Sequence, residues 1–206
     1  MSETIELHPS QANPRILKVI VDCLNLGGVI AYPTDSGYAL GCGLRQKEAL
    51  DRIKAIRNLD EYHNFTLICR DLSEISKYAK VSNEAFRILK RFTPGGYTFI
   101  LEATKDVPDP VLSKRDQIGV RIPDHPIPLM IVEALGEAML STTLTLPSES
   151  APLLYPEDVA EALSHQIDII IDGGYAGFEP TSIVDLSQGN PIVLRVGSGD
   201  VSEFQS

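Results

Sequence analysis

Two arginines stand alone in otherwise apolar runs. Arg121 lies in Ile118-Gly119-Val120-Arg121-Ile122-Pro123, and Arg195 in Ile192-Val193-Leu194-Arg195-Val196-Gly197. A charge on a half-buried strand needs a partner, because unpaired burial is costly. That partner can be internal, with Asp35, Asp172 and Asp185 as candidates. It can also be a bound carboxylate or phosphate, whose two oxygens match a planar guanidinium better than an ammonium. A third segment, Tyr32-Pro33-Thr34-Asp35-Ser36-Gly37-Tyr38-Ala39-Leu40-Gly41, crowds hydroxyls, a carboxylate and small residues where a strand meets a proline. Loops at strand ends gather ligands in α/β sheets, but Thr and Asp in a turn can equally satisfy their own backbone. Thr93-Pro94-Gly95-Gly96-Tyr97-Thr98 is either a close backbone approach to an anion or simply a helix stop before a strand. Ser141-Thr142-Thr143 and Thr181-Ser182 add further hydroxyls.

Other chemistries find no support. There is no G-x-x-x-x-G-K-[ST] and no G-x-G-x-x-G, and no Ser-His-Asp order can be singled out. The four histidines (His8, His63, His125, His165) lack metal-ligand spacing. Three cysteines without a C-x-x-C pair fit reduced thiols in a cytosolic protein. With 18 Lys plus Arg against 28 Asp plus Glu, the formal net charge is −10, so any nucleic-acid contact must use a local basic patch. The start MSETIELHPS has no secretory pattern, and no apolar run approaches the ~20 residues that span a bilayer. The expectation is a cytoplasmic protein with no membrane segment.

The elements that must hold these residues follow from periodicity. Asn13-Pro14 reads as an N-cap and first helical residue, with Ile16, Leu17, Ile20 and Leu24 at helical spacing and Gly27-Gly28 as the stop. Further helices are expected at 47–58, 71–78, 82–92, 126–135 and 156–163. Strands are expected at 29–32, 65–69, 97–101, 118–122, 139–142, 167–171, 182–186 and 192–196. Alternation in the first half argues for an α/β sheet with helices packed on it, and the paired strands near the end argue that part of it is antiparallel. Residues 104–114 read as a surface loop. One domain spanning 1–206 is expected, since no linker interrupts the chain.

Taken in order, these segments resemble the YrdC-like family, whose best-known members are threonylcarbamoyl-AMP synthases. That family's Y-P-T-[DE]-[ST]-x-Y-x-L-G is matched by Tyr32–Gly41, its P-G-x-x-T by Pro94–Thr98 and its R-[VI]-P by Arg121–Pro123. A late S-T-V-V-D is similar to Ser182-Ile183-Val184-Asp185 with the preceding Thr181, and R-x-G to Arg195–Gly197. Thr34–Cys42, Asn64-Phe65-Thr66-Leu67 and Pro94–Phe99 resemble the YciO branch in particular. The resemblance implies a single-domain twisted mixed α/β sheet. It implies L-threonine, bicarbonate and ATP as substrates, with Mg²⁺. Threonine's amine and carbon dioxide would give a carbamate that attacks the α-phosphate and expels pyrophosphate, a reaction resting on positioning and charge neutralisation.

By the same resemblance, Thr34, Ser36, Arg121, Thr143 and Ser182 would hold the threonine or carbamate end. Arg57, Asn64 and Arg195 would meet the nucleotide and its phosphates. Double-stranded RNA or tRNA binding is also implied, with Lys54, Arg57, Arg70, Arg87, Lys90 and Arg91 as candidate contacts. Two departures stand out. The synthases' K-x-R falls on Arg57-Asn58-Leu59, and their S-A-N on Thr143-Leu144-Thr145. These losses motivate one alternative, an enzyme that hydrolyses or edits threonylcarbamoyl groups on tRNA; a further alternative, from another class, is a non-catalytic RNA-binding module.

Overall fold

Asn13 caps the first helix as its sequence predicts, its side-chain oxygen accepting from the amides of Arg15 and Ile16. Asp71 and Ser82 cap two later helices in the same way. The computed structural model describes residues 1–60, 63, 65–112 and 116–205. In chain order the elements are β1 (Glu3–Glu6), α1 (Pro14–Asn25), β2 (Val29–Thr34), β3 (Gly37–Gly43), α2 (Lys47–Arg57), β4 (Thr66–Ile68), α3 (Leu72–Tyr78) and α4 (Asn83–Phe92). There follow β5 (Tyr97–Glu102), β6 (Gln117–Arg121), α5 (Pro126–Leu135), β7 (Met139–Thr143), α6 (Pro156–Leu163), β8 (Ile169–Asp172), β9 (Ser182–Asp185) and β10 (Ile192–Arg195).

The strands form one mixed sheet in the order β1-β8-β2-β3-β7-β4-β6-β5-β9-β10. The neighbours β1/β8, β2/β8, β4/β6 and β5/β9 run parallel, and the others antiparallel. Two strands escaped the sequence reading. β1 is short and charged, and it pairs only at the edge, with β8. β3 was read as part of a turn because of its glycines, yet all seven of its residues are buried between β2 and β7. Gly41 shows why glycine is tolerated there: a Cβ would lie 2.9 Å from both Met139 Sδ and a ring carbon of Tyr32. The expected loop at 104–114 contains a short 3-10 turn at Asp109–Val111.

The two faces of the sheet are covered unequally, and this creates the site. On one face, Leu40, Leu67, Phe99, Val120, Leu140 and Val184 pack into a continuous core with residues of α2, α3, α4 and α6. On the other, α1 and α5 cover Ile30, Tyr32, Met139, Ile169 and Ile171, the cluster reaching only as far as Ile68. Side chains alternate along a strand, so the partners of the first row point to this second face. Beyond Ile68 and Met139 that row turns polar or small: Thr66, Ser141, Thr143, Gly119, Arg121, Thr98 and Thr181. No helix among the described residues is long and apolar enough to cross a membrane.

Candidate functional site

The polar row lines two adjoining chambers on the uncovered face. The inner one, about 30 Å³, is lined by Thr34, Ser36, Ala39, Ile68, Arg121 and Ser141, with shared hydroxyls. The outer one, about 310 Å³, is lined by His63, Ile100, Gly119, Ile183, Leu194 and Arg195. Thr66, Thr98, Thr142, Thr143 and Thr181 belong to both, so the chambers form one groove with a narrow polar end and a wider, partly apolar mouth.

Arg121 sits at the inner end, only 5% exposed. Nη1 donates to Ser36 Oγ at 2.8 Å, and Nη2 is paired with Asp35. The internal carboxylate expected from sequence is thus real, but it does not exhaust the fork: Nε is buried with no partner among the described residues. Burial pushes this guanidinium below its ordinary range and Asp35 opposes the shift. Arginine nevertheless remains charged, so the inner end carries a fixed cation with spare donor capacity.

The Thr34–Ser36 turn also proves to be both things at once. Thr34 Oγ1 donates to the carbonyl of Gly37 at 2.7 Å and accepts from the Ser36 amide at 3.0 Å, closing the turn on itself. Ser36 is thereby presented to Arg121. Ser141 is held from beneath by the buried Tyr32 hydroxyl at 2.5 Å.

Arg195 occupies the outer chamber without a carboxylate partner among the described residues. Its Nε donates to the Thr181 carbonyl at 2.8 Å and its Nη2 to Thr181 Oγ1 at 3.0 Å, and Thr181 in turn touches Thr98 Oγ1 at 3.0 Å. Burial, then repulsion from Arg121, lowers the Arg195 pKa. Arg121 and Arg195 thus line the inner and outer parts of one groove.

Arg57, at the end of α2, lines neither chamber directly. It lies beside His63, whose protonation it disfavours, and its own Nε is buried with no partner among the described residues. Thr143 lines both chambers. Asn64 lies outside the described residues.

Ser182 lies away from the groove. It shares the face of Val184, is fully buried, and spends its hydroxyl on backbone, donating to the Gly199 carbonyl at 2.6 Å and accepting from the Gly197 amide at 2.8 Å. Its neighbour Thr181 is the groove residue. Replacing Ser182 with alanine is expected to cost about 1–3 kcal/mol of stability, by unpairing two backbone groups, and to leave ligand affinity unchanged. Urea unfolding and calorimetry on the one variant check both halves.

The proposed RNA contacts are also away from the groove. α4, with Arg87, Lys90 and Arg91, packs Ala85 and Leu89 into the core on the other face. Arg91 is paired with Glu203, and Lys54 rests near the Phe65 ring and the Pro110 carbonyl. Arg70 is close to Asp71, Glu74 and Glu133. The glycine turn at 95–96 is likewise structural: the Gly95 amide donates to Ile122, and the Gly96 carbonyl accepts from the Ser182 amide. Sequence reasoning missed His63, which it examined only for metal spacing, and Thr66. Asking which face of each strand is polar would have found Thr66.

A mixed sheet with one face half uncovered and a groove lined by hydroxyls and two guanidiniums defines an α/β protein with a polar, cation-bearing groove. The chain belongs to the Sua5/YciO/YrdC family, described as "Telomere recombination", whose profile matches residues 22–197. It is 50% identical over 205 residues to the uncharacterized protein YciO of Escherichia coli, covering 99% of this chain and 100% of that one. The crystal structure of E. coli YciO superposes with a TM-score of 0.95 over 99% of this chain and 100% of that one. A threonylcarbamoyl-AMP synthase of Halorhodospira halophila is 32% identical over 164 residues, 79% of this chain and 85% of the relative. The fold extends to Pyrococcus abyssi Sua5, crystallised with L-threonine, at a TM-score of 0.88 and 24% identity, over 100% of this chain and 60% of that one.

Proposed function

We propose that the protein joins L-threonine, bicarbonate and ATP into threonylcarbamoyl-adenylate with release of pyrophosphate, supplying the threonylcarbamoyl group for tRNA modification. The observation that carries this reading is the Arg121–Ser36 end of the groove. A buried fork with spare donors at the base of a small hydroxyl-lined chamber suits an amino-acid carboxylate. The adjoining larger chamber, with Arg195 at one side and Ile100, Ile183 and Leu194 as apolar walls, suits a nucleotide's phosphate and ring. The synthase relative of Halorhodospira supports the same reaction class.

Magnesium would enter with the triphosphate. The groove offers hydroxyls and guanidiniums, and Asp35 is engaged by Arg121. No group of three His, Cys, Asp or Glu able to hold a metal occurs among the described residues. Phosphate neutralisation would fall to the incoming ion and to Arg195, with Arg57 beside the mouth.

A second reading, removal of threonylcarbamoyl groups from tRNA, is favoured by one observation. Leu59, where the synthases carry a cation, packs its side chain against the core and adds no charge. Purified protein with threonine, bicarbonate and ATP is expected to release pyrophosphate in a threonine-dependent manner. Absence of release above background overturns the first reading. Loss of the modified nucleoside from tRNA incubated with the protein would establish the second.

A further inference from the structure

Tyr32 is fully buried, and its ring does not stay over its own strand. β3 lies between β2 and β7, and Gly41 of β3 pairs with Ser141 of β7. A Cβ at Gly41 would stand 2.9 Å from a ring carbon of Tyr32, so the ring passes over that glycine to reach β7. There the phenol meets Ser141 Oγ at 2.5 Å, and neither oxygen has another partner among the described residues. Ser141 also lines the inner chamber, together with Arg121.

The direction of that hydrogen bond follows from what each group could otherwise do. Burial pushes the phenol pKa up, with Ser141 opposing, so Tyr32 keeps its proton. A buried O–H without an acceptor is rare in native interiors, and Ser141 Oγ is the acceptor within reach. Tyr32 therefore donates, Ser141 Oγ accepts, and the serine's own proton is left to point elsewhere. The cavity that Ser141 borders is the inner chamber.

We propose that Tyr32 is a positioning residue that makes Ser141 a fixed hydrogen-bond donor to the substrate carboxylate, so that the inner chamber tells a carboxylate from the matching amide. This rests on the function proposed above, which places an amino-acid carboxylate at Arg121. An ionised carboxylate offers only acceptors, and it suits a guanidinium and a serine O–H together. A primary carboxamide presents an oxygen on one side and an NH₂ on the other. With its oxygen towards Arg121, its NH₂ would face a hydroxyl whose proton already points inwards, donor against donor. Without the phenol, Ser141 can turn and accept from that NH₂. Tyr32 acts only through Ser141, and Gly41 leaves the path open.

Titration calorimetry on the full chain tests this with L-threonine and L-threoninamide, in wild type, Tyr32→Phe and Ser141→Ala. Wild type is expected to prefer threonine strongly. Tyr32→Phe removes one oxygen and keeps the ring. It is expected to weaken threonine about 10-fold and to change the amide little, so the preference narrows by a similar factor. Ser141→Ala should narrow it likewise. Equal losses for both ligands, which a merely structural role would give, overturn the assignment while the function stands. An unchanged preference does the same, as does a preference that narrows in Tyr32→Phe but not in Ser141→Ala. A wild type without measurable threonine affinity overturns both.

Discussion

Replacing Arg121 with alanine is expected to abolish calorimetrically detectable L-threonine binding and to lower the unfolding free energy by about 3 kcal/mol. The stability loss arises from what the substitution leaves behind. Asp35, with its side chain only 21% exposed, loses the guanidinium that neutralises it, and breaking a buried pair from one side costs ~3–5 kcal/mol. The partial exposure of Asp35 places this case at the lower end. The binding loss has a separate origin, the removal of the only cation lining the inner chamber among the described residues. Arg121→Lys separates the two effects. An ammonium keeps the charge and much of the stability, but one point donor cannot serve Ser36, Asp35 and a ligand at once. Threonine affinity is therefore expected to fall in both variants, and urea unfolding to shift far more in alanine than in lysine. Wild-type affinity in the alanine variant would contradict the assignment of the inner chamber.

The second large effect concerns Gly119, which β6 places on the uncovered face between Thr66 of β4 and Ile100 of β5. A Cβ there would lie 2.9 Å from Thr66 Oγ1, 3.1 Å from the Phe65 carbonyl and 3.3 Å from Thr98 Cγ2. Thr66 can turn aside, but the Phe65 carbonyl is backbone and cannot. Gly119→Ala is expected to cost about 1–3 kcal/mol through overpacking. Gly119→Val adds an isopropyl group to the floor of the outer chamber and is expected to eliminate ATP binding in a still-folded protein. Titration calorimetry with ATP, alongside circular dichroism, measures both. A folded valine variant with unchanged nucleotide affinity would mean that the ligand lies elsewhere.

Much of this arrangement was legible in the sequence because local signals and tertiary roles agree. Asn13, Asp71 and Ser82 cap the helices that follow them. α5 and α6 begin at Pro126 and Pro156, where sequence places them. Arg121 and Arg195 announced themselves as charges in apolar runs. β3 was hidden because a central strand needs no alternation when both faces are covered, and its three glycines read as turn residues. Ser182 was misplaced for a related reason. A linear motif gives neighbouring residues equal standing, whereas a strand sends Thr181 and Ser182 to opposite faces. His63 had no local signature at all, since its place beside Thr142 and at the outer chamber arises only once β4 and β7 are paired.

The strand order has a consequence for when binding can begin during synthesis. β4, three residues long, lies between β7 and β6, so its neighbours leave the ribosome some fifty or more residues after it. Arg195 comes later still, on a strand that joins the sheet through β9. A fragment that ends before Arg195 therefore lacks part of the lining of the groove. Such long-range pairing also slows folding, so the groove is completed only in the last state reached.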